Sequence, residues 1–318
     1  MASQSALRTE DRAMGDIVQG LVPIAAAIFI GWGARKTGLI PAELWGGVNK
    51  LAYLVLLPAL LFVTIASAGS LGGEAAPFLV IATGAFVAMA VIALLLKPVL
   101  HTDGPSFTSV FQGGLRWNGF VVLALGQQAF SADQAALLAL VFAPTVPLIN
   151  VLCVAVLSVW GAHEGRVSPS RVAFRIATNP LILGCGLGAL ASFTPLLREP
   201  LLLDTAELVG RGALPLILLT VGASLDFSAI SAKPAMLAAA TALKLLVAPA
   251  VFIGLGMAFG LPADIIPVLA AVGAAPGAAS SYVLAKELGG DAELTAGHVT
   301  VTTVLAFLSF PLWIGAVS

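Results

Sequence analysis

Two cations stand at depths where a chain this apolar should not carry them. Arg116 lies eleven residues from one end and fourteen from the other of an apolar segment at roughly 105–130, and Lys244 lies about ten residues into a segment at roughly 234–259. A charge at the centre of a bilayer costs at least roughly 2.5–3.5 kcal/mol, so each must face the protein interior or water rather than lipid. The planar fork of an arginine suits a carboxylate, which it grips with two parallel hydrogen bonds; the plainer reading is that Arg116 caps carbonyls freed by a helix break. For Lys244 the readings are an anion-binding charge, a proton carrier, a stand-in for a coupling cation, or a lysine reaching its own membrane edge. Around these cations lie the residues able to shape a site. Asn118 and Gly119 follow Arg116, Pro276 and Gly277 interrupt the middle of another segment, Ser280 and Ser281 open the turn after that interruption, and Asn150 is polar at depth. These nine are the candidate substrate-binding residues.

The interruptions imply an architecture. Proline removes a backbone donor and clashes with the preceding turn, and glycine tolerates strained backbone, so each interrupted segment is expected as two half-helices. Unwound backbone at membrane depth survives only where protein or a water-filled cavity satisfies it, so the two breaks should meet inside the protein. If the segments run antiparallel, the second half-helix of each begins at the midplane, and two positive dipole ends converge from opposite sides. That geometry favours an anion. Ser280 and Ser281 are then placed to cap free N–H groups or to donate to a ligand.

The breaks also belong to a repeat. Leu57-Pro58 and the residues up to Ser67 return as Leu214-Pro215 up to Ser224 at an offset of 157, and Pro23 matches Pro180 at the same offset. Asn118-Gly119 falls opposite Pro276-Gly277, and Asp133 opposite Asp291, at an offset of 158. Paired interruptions at corresponding positions of two halves point to the binding site of a secondary transporter.

The rest of the chain must supply a membrane setting. Of 318 residues, 59% are hydrophobic and 10% charged, which no water-soluble core can hide, so the partner is a lipid bilayer; the net charge of -1 gives no reason to expect nucleic acid. Apolar runs predict ten spans, at roughly 17–34, 48–68, 75–98, 105–130, 133–159, 172–194, 201–226, 234–259, 262–287 and 292–317. Residues 1–16 read as a polar, disordered tail. The loops on one side carry Arg35, Lys36, Lys50, Lys97, Arg166, Arg171, Arg175 and Lys233, against Arg8, Arg12 and Arg198 on the other. The positive-inside rule therefore puts both termini on the non-cytoplasmic side. Five spans per half make the two repeats inverted.

Other chemistries find no residues. No cluster has metal-ligand spacing, no glycine-rich loop has the phosphate-binding form, and no nucleophile or acid–base pair is visible, so neither an enzyme nor a cofactor is expected. Gly184, Gly186 and Gly188 lie inside an apolar span and read as close helix packing. Glu207 and Arg211 have the spacing of a helical ion pair, His298 reads as a packing histidine, and Cys153 and Cys185 as packing residues.

The strings Leu57-Pro58 to Phe62, Arg116 to Phe120, Val146-Pro147 to Val151, Asn179-Pro180-Leu181 and Phe310-Pro311-Leu312-Trp313 resemble the auxin efflux carrier family, which includes plant auxin exporters and bacterial proteins labelled malonate transporters. The resemblance runs from about residue 17 to the end. It implies an all-α integral membrane fold of ten helices in two inverted five-helix repeats, with broken helices four and nine crossing. It further implies a scaffold domain (17–68 and 170–226), which is a homodimer, and a transport domain (75–159 and 233–318) that moves like an elevator. The substrates it implies are small organic anions, commonly carboxylates, and the location is the bacterial inner membrane. The connection after segment five is short here, so the regulatory loop of the plant members is missing. The ninth segment lacks the asparagine of many relatives at its break, so their substrate preference does not transfer directly. A sodium-coupled symporter of the bile-acid-carrier type shares the architecture, and a ligand or lipid sensor of the same fold is the reading from a different class.

Overall fold

The structure, a computed structural model, describes residues 2–67, 73–162, 174, 177–191, 193–231 and 233–318. Arg166, Arg171 and Arg175, counted above toward orientation, and the expected boundary at residue 170 lie outside the described residues. The elements are α-helical: α1 (Ala2–Lys36), α2 (Leu44–Ser67), α3 (Ala75–Leu95), α4 (Gly104–Leu115), α5 (Gly119–Ala129), α6 (Ala132–Trp160), α7 (Pro180–Ala191), α8 (Pro200–Ala223), α9 (Pro234–Ala258), α10 (Ile266–Gly273), α11 (Ser280–Leu288) and α12 (Ala292–Gly315). Among the described residues, seven helices are long and apolar enough to cross a membrane, α3 being the most apolar at a mean hydropathy of 2.7. The protein is an integral membrane protein.

One expectation is corrected here. Helix α1 begins at Ala2, so residues 2–16 continue the first helix instead of forming a disordered tail. Nine of its fifteen residues are Ala, Arg, Leu, Met, Gln or Glu, which favour helix, and extending an existing helix avoids the cost of nucleation.

Short polar side chains set where several helices start. Asp103 accepts from the Ser106 N–H at 2.7 Å ahead of α4, Asp291 from the Leu294 N–H at 3.0 Å ahead of α12, and Ser131 forms a reciprocal capping box with Gln134 ahead of α6. Two helices widen for one π-helical turn, at Ala52–Leu56 in α2 and Leu243–Val247 in α9. Pro58 and Pro249 follow these turns; each lacks an N–H and would clash with the carbonyl four residues back, and the wider turn absorbs both defects.

Glycines allow the closest helix approaches. In α1 and α8, a Cβ on Gly31 would collide with the Leu219 carbonyl and one on Gly222 with the Ile28 carbonyl. In α7, a Cβ on Gly184 would stand 2.7 Å from the Pro58 oxygen of α2 and one on Gly188 2.9 Å from that of Phe62, as close packing requires, whereas Gly186 faces open space. Thus α1 lies along α8, and α2 lies along α7 and the first half of α8. Helices α3, α4, α9, α10 and α12 form another group, joined by buried rings such as Phe86 of α3 and Phe252 of α9, edge to face at 4.9 Å.

A polar clasp ties three helix starts of this group. Lys233 Nζ lies 2.9 Å from Asp291 and 3.2 Å from Asp103, and Ser106 Oγ stands 3.0 and 3.1 Å from the two carboxylates, able to donate its one proton to either. The hydrogen bond to Asp291 holds the Lys233 ammonium above the usual lysine range, and the Ser106 N–H holds the Asp103 carboxyl below the usual carboxylate range.

Candidate functional site

The two interrupted segments are broken where expected. Between α4 and α5 the chain unwinds at Arg116, Trp117 and Asn118; between α10 and α11 it unwinds around Pro276 and Gly277. The unwound strands meet in an isolated antiparallel bridge between Trp117 and Gly277, and the Asn118 N–H donates to the Pro276 oxygen at 2.8 Å. The Gly277 N–H donates to Thr302 Oγ1 of α12 at 3.0 Å. Each break thereby satisfies backbone groups that lipid could not. Asn118 Oδ1 also accepts from the Val121 N–H at 3.4 Å, capping α5. Because α5 and α11 both begin at the crossing, two helix N-termini, each carrying roughly half a positive charge, are brought together there.

Arg116 leaves the end of α4 and reaches across this crossing. Its Nη1 donates to Asn150 Oδ1 of α6 at 2.8 Å and its Nη2 to Ser280 Oγ of α11 at 3.0 Å. The guanidinium is thus fixed by two neutral side chains, and no carboxylate lies within ion-pairing distance of it among the described residues. Its role as a cap for freed carbonyls is not what these contacts describe. Ser280 serves as acceptor for Arg116, and no side chain caps the start of α11. Ser281 is buried beside it.

Arg116, Asn118, Gly119, Asn150 and Ser280 line one cavity of ≈ 690 Å³, which extends from the crossing toward the end where α1, α8 and α11 finish. Pro276, Gly277 and Ser281 stand behind its wall, and Lys244 lies elsewhere: its side chain is fully buried between helices and does not reach the cavity. His298 is likewise buried, as a packing histidine should be; its ring bonds the Ala240 backbone, while its Nε2 has no partner.

The structure adds residues that were not singled out above. Trp45, Asn49 and Tyr53 of α2, Thr220 of α8, Arg35 of α1 and Glu287 of α11 also line the cavity. Tyr53 OH donates to Asn179 Oδ1 at 3.4 Å, Thr220 Oγ1 to Asn49 Oδ1 at 3.4 Å, and Arg35 Nη1 to the Ala223 oxygen at the cavity mouth. Aromatic rings make up much of the remaining wall: Trp117 and Phe142 at 5.1 Å, Phe142 and Phe120 at 5.9 Å. The site therefore offers the Arg116 guanidinium and two helix N-termini at the crossing, Arg35 and Glu287 toward the mouth, and an apolar, aromatic body between them.

The sequence profile described as "Membrane transport protein" matches residues 16–132 and 162–314. The chain belongs to this membrane transport family, the one that the auxin efflux resemblance indicated. The chain is similar to a protein from Rhizobium meliloti (strain 1021) described as a "Putative malonate transporter", 26% identical over 305 residues, spanning 92% of this chain and 93% of that protein. The family match spans both breaks, Arg116 lying in its first matched stretch and Gly277 in its second.

Proposed function

We propose that the chain is a secondary transporter that moves a small organic anion, a carboxylate, across the membrane by an elevator-type alternation of access. One observation carries the reading: the Arg116 guanidinium, fixed by Asn150 and Ser280 and without a carboxylate partner, faces a cavity at the meeting point of two helix N-termini. A carboxylate there gains charge-assisted hydrogen bonds from a fork already held in place.

In this reading the chain crosses the membrane ten times as two inverted repeats, with both termini outside the cytoplasm of a bacterial cell. Residues 17–68 and 170–226 form a scaffold that dimerises, and residues 75–159 and 233–318 form the moving body. The packing of α1 on α8 and α2 on α7, apart from the group around α3, α4, α9 and α10, supports that division. The cavity lies between the two groups and opens where α1, α8 and α11 end, the side that the charge count assigns to the cytoplasm.

The relative's name makes malonate the first acid to test, and the aromatic lining argues for including acids with an apolar body, such as an indole acid. The experiment is uptake of labelled carboxylates into proteoliposomes under imposed proton, sodium and voltage gradients. Saturable flux of at least one acid is expected, and R116Q should lower its affinity about 10- to 100-fold, the worth of one or two charge-assisted bonds. Unchanged affinity in a folded R116Q variant would remove Arg116 from the site. Flux that follows sodium would place the protein with the sodium-coupled symporters. Binding without flux for every acid would make it a sensor.

A further inference from the structure

Behind the crossing lies a second group of polar side chains that the anion site does not use. Lys244 Nζ, His298 Nε2, both amide atoms of Gln112 and Thr303 Oγ1 are all buried and all without a hydrogen-bond partner. They come from α9, α12 and α4, three helices that pack on one another. A few orphaned polar atoms are ordinary in a native protein, but this many on three neighbouring helices call for an ion or water as partner.

The charges around Lys244 can be counted. Helices α4, α12 and the rest of α9 pack against its π-helical turn, with α3 and α10 packed on that same group, and within these five the sole titratable side chains besides Lys244 are His298 and Glu293. Glu293 lies in the first turn of α12, beside the Asp103–Lys233–Asp291 clasp, and Arg116 sits at the far end of α4, turned to the cavity. Among the described residues, no carboxylate thus pairs with the amine. An ammonium in that position is without counter-charge, which a protein interior tolerates poorly.

The same group touches both breaks. A Cβ placed on Gly113 would stand 3.1 Å from His298 Cε1 and Nε2, and one on Gly277 2.9 Å from its Cε1 and Nδ1. Thr302 accepts from the Gly277 N–H and donates to the His298 carbonyl at 2.7 Å. Gln112 precedes Arg116 by one turn, its carbonyl accepting the Arg116 N–H at 2.7 Å. The His298 ring is therefore wedged between the last turn of α4, just ahead of the first break, and the backbone of the second break, with Lys244 as its charged neighbour.

From this geometry we infer that Lys244, assisted by His298, Gln112 and Thr303, is a proton-binding site coupled to the anion site across the crossing. The inference rests on the proposed anion site and names what drives it. The mechanism is electrostatic. With the cavity empty, Arg116 and two helix N-termini make the local potential positive and oppose a proton on Lys244. A carboxylate on Arg116 cancels that potential, so proton and anion bind together, and by reciprocity each tightens the other. Partners that bind the moving body together travel in the same direction, so the protein is a proton–anion symporter. Protonation adds H⁺ to a neutral amine, and the proton leaves when the anion does.

The test is calorimetry of malonate binding to the detergent-solubilised protein in two buffers of different ionisation enthalpy, at pH values where malonate is a dianion. Wild type is expected to take up close to one proton per malonate over part of the pH range, with affinity there changing by up to about tenfold per pH unit. K244M should bind with the wild type's alkaline affinity at every pH and take up none; H298Q should keep the uptake and displace its pH midpoint. Malonate binding by wild type without proton uptake at any pH overturns the inference, with no variant needed, and leaves the anion site standing. Undiminished proton uptake in K244M overturns it as well. Absence of binding by malonate and by every other acid of the panel would instead overturn the anion site, and the coupling with it.

Discussion

At the scale of single residues, what decides the site is how tightly a few side chains are held. Gly119 opens α5 directly beneath Phe142, whose ring is 3% exposed and packed against Trp117 and Phe120. A Cβ on Gly119 would collide with Phe142 Cζ, and the ring, packed against Trp117 and Phe120, could yield only by swinging into the cavity that it lines. G119A should therefore destabilise the protein by about 1–3 kcal/mol, the cost of forcing a packed side chain aside. In thermal unfolding that is a fall of several degrees, and the double variant G119A/F142L should recover part of it; an unchanged midpoint in G119A would show that the ring yields freely. The site was legible in the sequence wherever polarity contradicted depth. Arg116, Asn118, Asn150 and Ser280 stood out because lipid would reject them, and they do converge. Asn49, Tyr53 and Thr220 did not, because a tyrosine or threonine on an apolar helix gives no sign of which face it occupies. Arg35 and Glu287 sit at helix ends, where charge is commonplace. Lys244 was legible as an anomaly, but its separation from the cavity depends on how α9 is rotated, which a single sequence does not encode.

At the scale of elements, the breaks and the caps govern how helices are joined. Matching interruptions at an offset of 158 foretold that the segments near 118 and 276 meet, and the Trp117–Gly277 bridge is that meeting. The continuous α1 from Ala2 was not legible, because charged residues suggest a solvated tail whether or not they are helical. Nor was the clasp at Lys233, whose partners come from positions 103 and 291, far apart in the chain. The clasp has a defined pH window. The depressed carboxyl of Asp103 contributes stability above its unfolded value of about 3.9, lost as pH falls through the lower folded value; the raised Lys233 contributes below about 10.4, lost as pH rises through the higher folded value. Between these limits K233M should be less stable than wild type by about 1 kcal/mol or less, since Lys233 and Asp103 are both partly exposed and screened. The two proteins should converge in acid, once the pH has fallen below the depressed folded values of the two carboxyls. A gap that persists unchanged into acid would mean that Lys233 acts through packing of its stem instead of its charge.

At the scale of the whole molecule, alternating access requires two bodies that slide while each keeps its own core. The two native cysteines report on this. Cys185 of α7 lies at the seam, its Sγ donating to the Ala139 oxygen of α6 at 3.4 Å, so one body of the proposed division meets the other there. Cys153 of α6 belongs within the moving body, near the packing of α4 on α6. Both thiols are fully buried in this conformation, at 1% and 0% exposure, so neither should react appreciably with a maleimide in a static protein. If the body carrying α6 slides past α7, the Cys185–Ala139 contact breaks in each cycle and the thiol is intermittently uncovered, whereas Cys153 moves with its surroundings and stays covered. Labelling of Cys185 in proteoliposomes should then accelerate several-fold when a transported acid is cycling, with Cys153 unlabelled in the same sample by peptide mass spectrometry. Hinge bending confined to the broken helices predicts the opposite order, because motion centred on Arg116 would disturb the α4–α6 contact and leave the α6–α7 seam intact. Faster labelling of Cys153 than of Cys185 would therefore exclude the sliding of two rigid bodies and locate the moving parts at the crossing itself.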